Sequence, residues 1–405
     1  MITIAPELLA MLALMLALQP WATDLYLPSL PALSKSMEIS AASAQLTLTS
    51  FIVTFAVGQL ISGPLSDRYG RRPVLLAGFG LFTAGSVLAM VSPGLTWLVA
   101  ARCLQALGVC CTVVCSRAIV RDLYPPEIGP QVFARVLSLL ALAPLSAPIL
   151  GALVFFFGGW RGCFVFLSLV GACGMVWMGW RFKESNATPN PRATHLPTLL
   201  RANAQCLRHP QFIAYTLTIT GSYSMIFCVL SASPFVFIEH LNMSALAFGI
   251  MFGVVTAGFL LGTFVMRRIA RFRSTARTAQ IGALFSLSGG LLMLGLHQSA
   301  SPWIVVLPIF IALIGHGILQ PTCMMGAAAP FPQHAGTAVA LMGFIMHVVA
   351  APVGLAVTTA FDGSAWPMAL GIAACTVLTA VCAWGLVRRL PAEPTVKPVL
   401  SRATP

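Results

Sequence analysis

The chain has 405 residues, of which 58% are hydrophobic and only 8% charged, and its mean hydropathy is +0.90. A soluble domain carries about 25% charged residues, so this composition excludes one and indicates a membrane protein. A net charge of +13 would suit a nucleic-acid binder by magnitude alone, but the placement of the basic residues argues for a lipid surface instead.

Apolar runs near twenty residues long indicate helices, because a barrel strand needs only about ten alternating residues. In hydrocarbon a helix also satisfies its own backbone hydrogen bonds. The runs fall at 5–28, 43–65, 74–92, 95–117, 132–157, 162–182, 211–235, 245–266, 277–296, 302–325, 335–360 and 366–387. They predict twelve transmembrane helices. The longest polar stretch divides them six and six, giving an N-terminal six-helix bundle over 1–182, a linker over 183–210 and a C-terminal six-helix bundle over 211–405 with a short tail. Within the linker, "KESNATPNPRATHLP" reads as irregular chain and "TLLRANAQCLRHP" as a short surface helix. The first run lacks the basic n-region of a cleaved signal peptide and is expected to stay as an anchor.

Orientation follows from Lys and Arg. With both termini and the linker in the cytoplasm, twenty of the 23 basic residues fall inside, Arg117, Arg192, Lys397 and Arg402 among them. Lys35 and Arg161 fall outside. The bias explains the net charge, and the partner it implies is anionic lipid and not nucleic acid. Arg102 is left over, within the fourth helix.

In chain order, the first chemically loaded residue is Asp24 in "LQPWATDLYLP". An ionised carboxylate in hydrocarbon costs several kcal/mol unless it is paired or lines a wet cavity. On the predicted helix it lies roughly 6 Å below the outer surface, at 1.5 Å per residue. Next, "GPLSDRYGRRP" over 63–73 exceeds what a basic loop requires. Gly63 and Gly70 suit close approach of helix ends, and Asp67 can pair with Arg71 four residues on. In "RCLQALG", Arg102 lies roughly 10 Å deep by the same rise. It either snorkels to the outer surface or shares one polar cavity with Asp24. On helix 5, "APLSAPILG" carries Pro144, Pro148 and Gly151, which allow a kink. His316 and His347 sit in helices 10 and 11, where a bond to a backbone carbonyl or hydroxyl is the favoured reading over titration. Tyr26, Phe51, Phe55, Tyr223 and Phe227 are candidates for stacking on a flat substrate, beside Gln105. The eleven cysteines lie almost entirely in apolar runs and read as buried thiols. No Cys/His spacing fits a metal, and no catalytic set or phosphate-binding loop is present, so no enzyme is expected.

"GPLSDRYGRRP", between helices 2 and 3, resembles the G-x-x-x-D-R-x-G-R-R signature of the major facilitator superfamily, in agreement with the helix count and linker. The resemblance implies a gating network of Gly63, Asp67, Arg68, Gly70, Arg71 and Arg72, with Asp122 as a third charged member. "RCLQALG" resembles the R-x-x-Q-x-x-G pattern of proton-coupled drug antiporters. It implies that Arg102 lines the central cavity and Asp24 exchanges protons. "APLSAPILG" resembles the antiporter motif of exporters, with Ala-Pro in place of Gly-Pro. "ATDLYLPSLP", "GGWRGCF" and "PFPQHAGTAVALMGF" are similar to the Bcr/CflA branch of multidrug exporters. "RCLQALGVC" with "SPFVFIEH" also resembles a purine-nucleoside exporter within it.

The expected function is thus proton-coupled efflux of small, largely apolar compounds, drug-like or nucleoside-like, across a bacterial inner membrane by alternating access. A monomer working without cofactor, on the proton gradient, is implied. An uptake symporter of the same fold and a non-transporting receptor are the alternatives.

Overall fold

The computed structural model describes residues 5–125, 128–140, 142–191 and 193–390. Arg192, Lys397, Arg402 and the tail after 390 lie outside them. Every regular element among the described residues is helical.

The first span consists of α1 (Pro6–Asp24), a short 3-10 turn (Leu27–Ser29) and α2 (Leu30–Ser36). α3 (Ala41–Tyr69), α4 (Arg71–Met90) and α5 (Leu95–Leu123) follow. α6 (Gly129–Leu140) leads into α7 (Leu142–Arg181). The linker holds α8 (Leu196–Arg208), amphipathic as its sequence suggests. After it come α9 (Pro210–Pro234) with a π-helical extension (Phe235–His240), α10 (Ala245–Ile269), α11 (Thr275–Leu296), α12 (Pro302–Ala328), α13 (Ala335–Thr359) and α14 (Trp366–Gly385).

Eleven helical stretches among the described residues are long and apolar enough to cross a membrane. One of them, Gln131–Arg181, has 51 residues. Straight, it would run roughly 75 Å, more than twice the hydrocarbon thickness of about 30 Å. It is not straight. Gly159 adopts φ 60° and ψ −165°, and beyond it Cys163 Sγ lies 3.8 Å from the carbonyl of Gly151, twelve residues back. The chain therefore folds back at the glycine, in the gap expected between the runs 132–157 and 162–182.

Two boundaries differ from the sequence reading. The first span continues to Ser36, because Leu25–Leu33 is apolar and Pro28 and Pro31 each sit at the N-terminal positions of a new helical turn, where the missing N–H costs nothing. Asp24 is therefore twelve residues, roughly 18 Å at 1.5 Å per residue, from that end. α5 runs to Leu123, so Arg117 lies within the helix and not at its end.

Helices α1–α7 pack mainly on one another, with α5 against α3 and α4, and α4 against α7. Helices α9–α14 do likewise, with α12 against α10 and α11, and α9 against α13 and α14. The two sets meet where α13 lies on α3 and α10 on α7. α9 with its π-helical extension is the most enclosed span. Two polar contacts between the sets, Gln45 Nε2 to Ser231 Oγ at 2.6 Å and Lys35 to Glu239 at 3.6 Å, lie at the end remote from the linker. All eleven cysteines are free, and eight of them are buried.

Gly151 sets the spacing of α7 on the first span. A Cβ there would stand 1.6 Å from the carbonyl oxygen of Leu25, which is backbone and cannot turn aside. Gly151→Val is expected to lower stability by about 3 kcal/mol or more, seen as a lower thermal unfolding midpoint in detergent. Gly179→Val, whose Cβ would meet only Leu76 at 3.7 Å, should leave the midpoint nearly unchanged.

Candidate functional site

Arg102 is fully enclosed, at 0% exposure. A guanidinium in such surroundings must find acceptors for its donors. It donates from Nη2 to the carbonyl of Ala22 on α1 at 2.8 Å, from Nε to that of Thr47 on α3 at 3.2 Å, and from Nη1 to Gln105 Oε1 at 2.7 Å. Gln105 Nε2 passes the chain to Ser86 Oγ on α4 at 2.7 Å. The rings of Phe51 and Tyr26 lie 4.4 and 4.6 Å from the guanidinium carbon, in cation–π range. The Tyr26 hydroxyl is held 3.0 Å from Thr47 Oγ1. Arg102 does not snorkel. Nor do Arg102, Gln105, Tyr26 and Phe51 line an open cavity in this conformation, because each has no solvent exposure. They form a packed hub joining α1, α3, α4 and α5.

Asp24 is 7% exposed and accepts a hydrogen bond from Thr23 Oγ1 at 2.7 Å. Among the described residues no cation lies within ion-pairing distance of it. The expected sharing of one cavity by Asp24 and Arg102 is thus corrected. They sit at similar depth, but Tyr26, two residues on and so about 200° around the helix, faces Arg102. Asp24 lies within electrostatic reach of Tyr26 and of Tyr223 on α9.

The second set contributes rings. Tyr223 stacks on Phe227 with centroids 6.5 Å apart and meets the His347 ring edge-on at 4.8 Å. Phe55 of α3 meets the same imidazole at 5.3 Å, across the seam between the sets. Phe55 and Tyr223 therefore converge, whereas Phe51 belongs to the Arg102 hub. Both histidines have the bland partners favoured from sequence: His316 Nδ1 lies 2.9 Å from Ser222 Oγ, and His347 Nδ1 lies 2.5 Å from the carbonyl of Gly343. The α7 segment with Pro144, Pro148 and Gly151 stays helical, and the non-helical residue is Gly159, eight positions on. Here Pro148 presents its carbonyl to Gly249 of α10, so the segment serves the seam and is not a kink.

At the linker end, the gating residues form a compact network. Arg71 donates from Nη1 to Asp67 Oδ1 at 2.6 Å and from Nε to Asp122 Oδ2 at 2.7 Å. Arg121 adds a longer contact to Asp67 at 3.4 Å. Gly70 joins α3 to α4 at φ 97°, a conformation other residues rarely adopt. Gly63 is not a close-approach position, since a Cβ there would meet only Val114 at 3.8 Å. The sequence reading missed Glu184. Its carboxylate accepts the backbone N–H groups of Arg71 and Arg72, each at 2.9 Å, at the N-terminus of α4, where the helix dipole favours an anion. Asn186 Nδ2 and the Asn190 N–H donate to the Asp67 carbonyl, Arg68 Nη1 to Thr194 Oγ1 at 2.8 Å, and Arg72 Nη2 to the Gly179 carbonyl. Among the described residues the partners of Asp67 all belong to the first set and the linker, so it does not bridge to the second set here. Partial burial would raise the Glu184 carboxyl, but the N–H donors of Asn186, Arg71, Arg72 and Ser185 outweigh it and hold it below its ordinary value of 4.5.

Membrane-spanning helices in two packed groups, with a carboxylate and a ring cluster between them, define a membrane transporter and not an enzyme. The family profile described as Major Facilitator Superfamily matches residues 12–354, and the chain belongs to that superfamily. It is 32% identical over 362 residues to the uncharacterized MFS-type transporter YdgK of Bacillus subtilis (strain 168), covering 87% of this chain and 89% of that one. It is 29% identical to multidrug resistance protein D of Escherichia coli (strain K12), covering 84% and 86%. It is 30% identical to a chloramphenicol resistance protein of Pseudomonas aeruginosa, covering 85% and 82%. Among solved structures, a D-xylose-proton symporter superposes with a TM-score of 0.74 at 15% identity, covering 95% of this chain and 98% of that one; it shares the fold.

Arg102→Ala should cost about 3 kcal/mol or more, because it leaves a void and removes the guanidinium donors from the carbonyls of Ala22 and Thr47. Arg102→Lys, which keeps a cation and up to three donors, should lose less; thermal unfolding of the two variants orders them. The cap by Glu184 has its own pH signature. Its folded pKa is depressed, so its stabilisation is complete above about 4.5 and is lost as pH falls through the lower folded value. Hydrogen exchange over 183–194 should therefore quicken below that pH in the wild type. In Glu184→Gln it should be fast throughout.

Proposed function

We propose that this chain exports small, largely apolar compounds across the bacterial inner membrane in exchange for protons, driven by the proton gradient and working as a monomer. In this reading the helices form two six-helix bundles over 1–182 and 211–405, with the stretch that folds back at Gly159 crossing twice to make twelve spans. The linker end and both termini face the cytoplasm, as the basic residues suggest. The drug-resistance names carried by relatives such as those of Escherichia coli and Pseudomonas aeruginosa support a drug-like substrate.

The observation that carries the proposal is the state of Asp24. Among the described residues it is the sole carboxylate in the interior of the spans, it is nearly enclosed, and Arg102 does not neutralise it. Because the donors of Arg102 are occupied by Ala22, Thr47 and Gln105, Asp24 can exchange its proton without breaking an ion pair. Closure at the end remote from the linker, through Gln45–Ser231 and Lys35–Glu239, fits a conformation that admits substrate from the linker side. Opening that end and closing the other would hydrate Asp24 from the opposite side. Substrate and proton then compete for one state of the cavity. Asp67, Arg71 and Asp122 form the charged corner about which the linker end opens and closes, and in the segment with Pro144, Pro148 and Gly151 it is Pro148 that meets the second set, at Gly249, while Gly151 packs on Leu25.

The test is proton release on addition of substrate to purified protein, with chloramphenicol as the first compound tried. Wild type should release protons and, in vesicles, export the compound down an imposed pH gradient. Asp24→Asn should stay folded and lose both. Release that persists in the variant would remove Asp24 from the mechanism, and proton-linked flux only in the opposite direction would identify a symporter.

A further inference from the structure

Arg273 and Arg277 read from the sequence as two of the many basic residues on the linker side. In the structure they share a cavity of about 430 Å³, lined by Arg273, Arg277, Gln280, Ile281, Leu284 and Trp384. That volume lies in the range of about 300–1,000 Å³ usual for small-molecule sites. Arg273 belongs to the connection before α11, Arg277 to the first turn of α11, and Trp384 to the last turn of α14. Gln280, Ile281 and Leu284 follow Arg277 at spacings of three, four and seven, which places all four on one face of α11. The cavity thus runs from the linker end roughly 10 Å down that helix, at 1.5 Å per residue. Further down, α11 and α14 close up at Gly290, where a Cβ would run into Thr376 Oγ1.

The lining changes character along this length. Its linker end is cationic and its inner end apolar. The apolar end continues as a stripe that no part of the protein covers, with Leu284 and Leu291 of α11 and Val377 and Val381 of α14 all exposed. On spanning helices such a stripe faces lipid. Trp384, three residues after Val381, carries it up to the arginines.

The charge at the linker end is uncompensated. Arg273 has no hydrogen-bond or ion-pair partner among the described residues. The guanidinium of Arg277 has one long contact, from Nη1 to Gln280 Oε1 at 3.5 Å. Between 211 and 390 the only carboxylates are Glu239 and Asp362, both at the remote end. The first turn of α11 holds no acidic residue, so both arginines sit at the positive end of a helix dipole, the end that favours an anion. Each of these positive charges raises the energy of the others, and an anion seated among them relieves all three. The half-buried Trp384 likewise has no partner for its indole N–H among the described residues.

We propose that this cavity binds one anionic phospholipid, with its phosphate on Arg273 and Arg277, its glycerol esters beside Trp384 and an acyl chain laid along Ile281 and Leu284. Guanidinium forks suit phosphate oxygens, tryptophan suits the level where headgroup meets chain, and basic pockets between spanning helices on this side take lipid headgroups. The apolar inner end selects an amphiphile over free phosphate. The lack of a carboxylate leaves a headgroup ammonium without a partner, which selects phosphatidylglycerol over phosphatidylethanolamine. Neither α11 nor α14 belongs to the principal contacts across the seam, so the site is separate from the transport path and stands whatever compound is carried.

The experiment is native mass spectrometry of the purified full chain, titrated with dioleoyl phosphatidylglycerol or dioleoyl phosphatidylethanolamine. Wild type should bind the first about tenfold or more tightly, as two arginines near the membrane surface provide. Arg273→Gln combined with Arg277→Gln should bring the two lipids to within about two-fold of each other. Arg267→Gln combined with Arg268→Gln removes as much charge from the end of α10 but nothing from the cavity, and should keep most of the preference. These side chains are all exposed, so both double variants should keep the thermal midpoint of the wild type without lipid. Soluble sn-glycerol 3-phosphate at the concentration of the lipid should displace none of it. Equal affinities in the wild type, or a preference undiminished in the Arg273/Arg277 variant, would overturn the site. An equal loss in the Arg267/Arg268 variant would replace it with a diffuse basic surface. Displacement by glycerol phosphate would show that phosphate alone is recognised and overturn the lipid assignment.

Discussion

A guanidinium sealed from water is the constraint on which the first half of this protein depends. Arg102 cannot shed its charge and has no carboxylate within reach, so the fold supplies oxygens from the backbone itself. Two of them, the carbonyls of Ala22 and Thr47, belong to different helices. They are offered at the same depth only if α1, α3 and α5 keep one relative placement. Phe51 and Tyr26 then close the faces that hydrogen bonds leave open. The arginine acts as a fixed pin. Asp24, on α1 two residues beyond Ala22, is thereby held at a defined depth.

The linker end obeys a similar rule with different partners. Arg71 is almost fully covered but has two carboxylates, Asp67 and Asp122, one from its own helix junction and one from α5. Glu184 then ties the first residues after α7 to the start of α4 through backbone N–H groups. The beginning of the linker is consequently part of the charged corner and not a free tether. A motion that separates the helix sets at this end must either carry residues 184–194 along with the first set or break several charge-assisted bonds at once. The first course is much the cheaper.

Much of the fold was legible in sequence because its signals are collective. Twenty-residue apolar runs, one long polar interval and a biased distribution of arginine each summed over many residues. The Asp67–Arg71–Asp122 network was readable from its spacing and resemblance. The failures are local and share a cause: a sequence shows which residues are costly to bury but not which oxygen will satisfy them. Arg102 and Asp24 were matched because they were opposite charges at similar depth, yet backbone carbonyls and a neighbouring hydroxyl took those roles. Glu184 looked like ordinary linker because its function is to accept N–H groups from residues more than a hundred positions earlier. Arg117 was read as the end of its helix because the apolar run stops there, whereas the helix continues six residues to Leu123.

The composition of α9 bears on how the protein is made. That helix carries nine hydroxyl side chains in 25 residues, and it is the most enclosed of the spans. Its hydroxyl groups are tolerable in the finished molecule because α13 and α14 cover them. Those two helices are synthesised more than a hundred residues later, which at about 5–20 residues per second leaves α9 waiting several seconds for its principal neighbours. During that interval its polar face is turned either to lipid or to the already assembled first half. Biogenesis thus favours an early, provisional docking of α9 on the first set, followed by exchange of partners when the last helices arrive. A ribosome-stalled chain ending near residue 300 would catch the helix in its temporary seat.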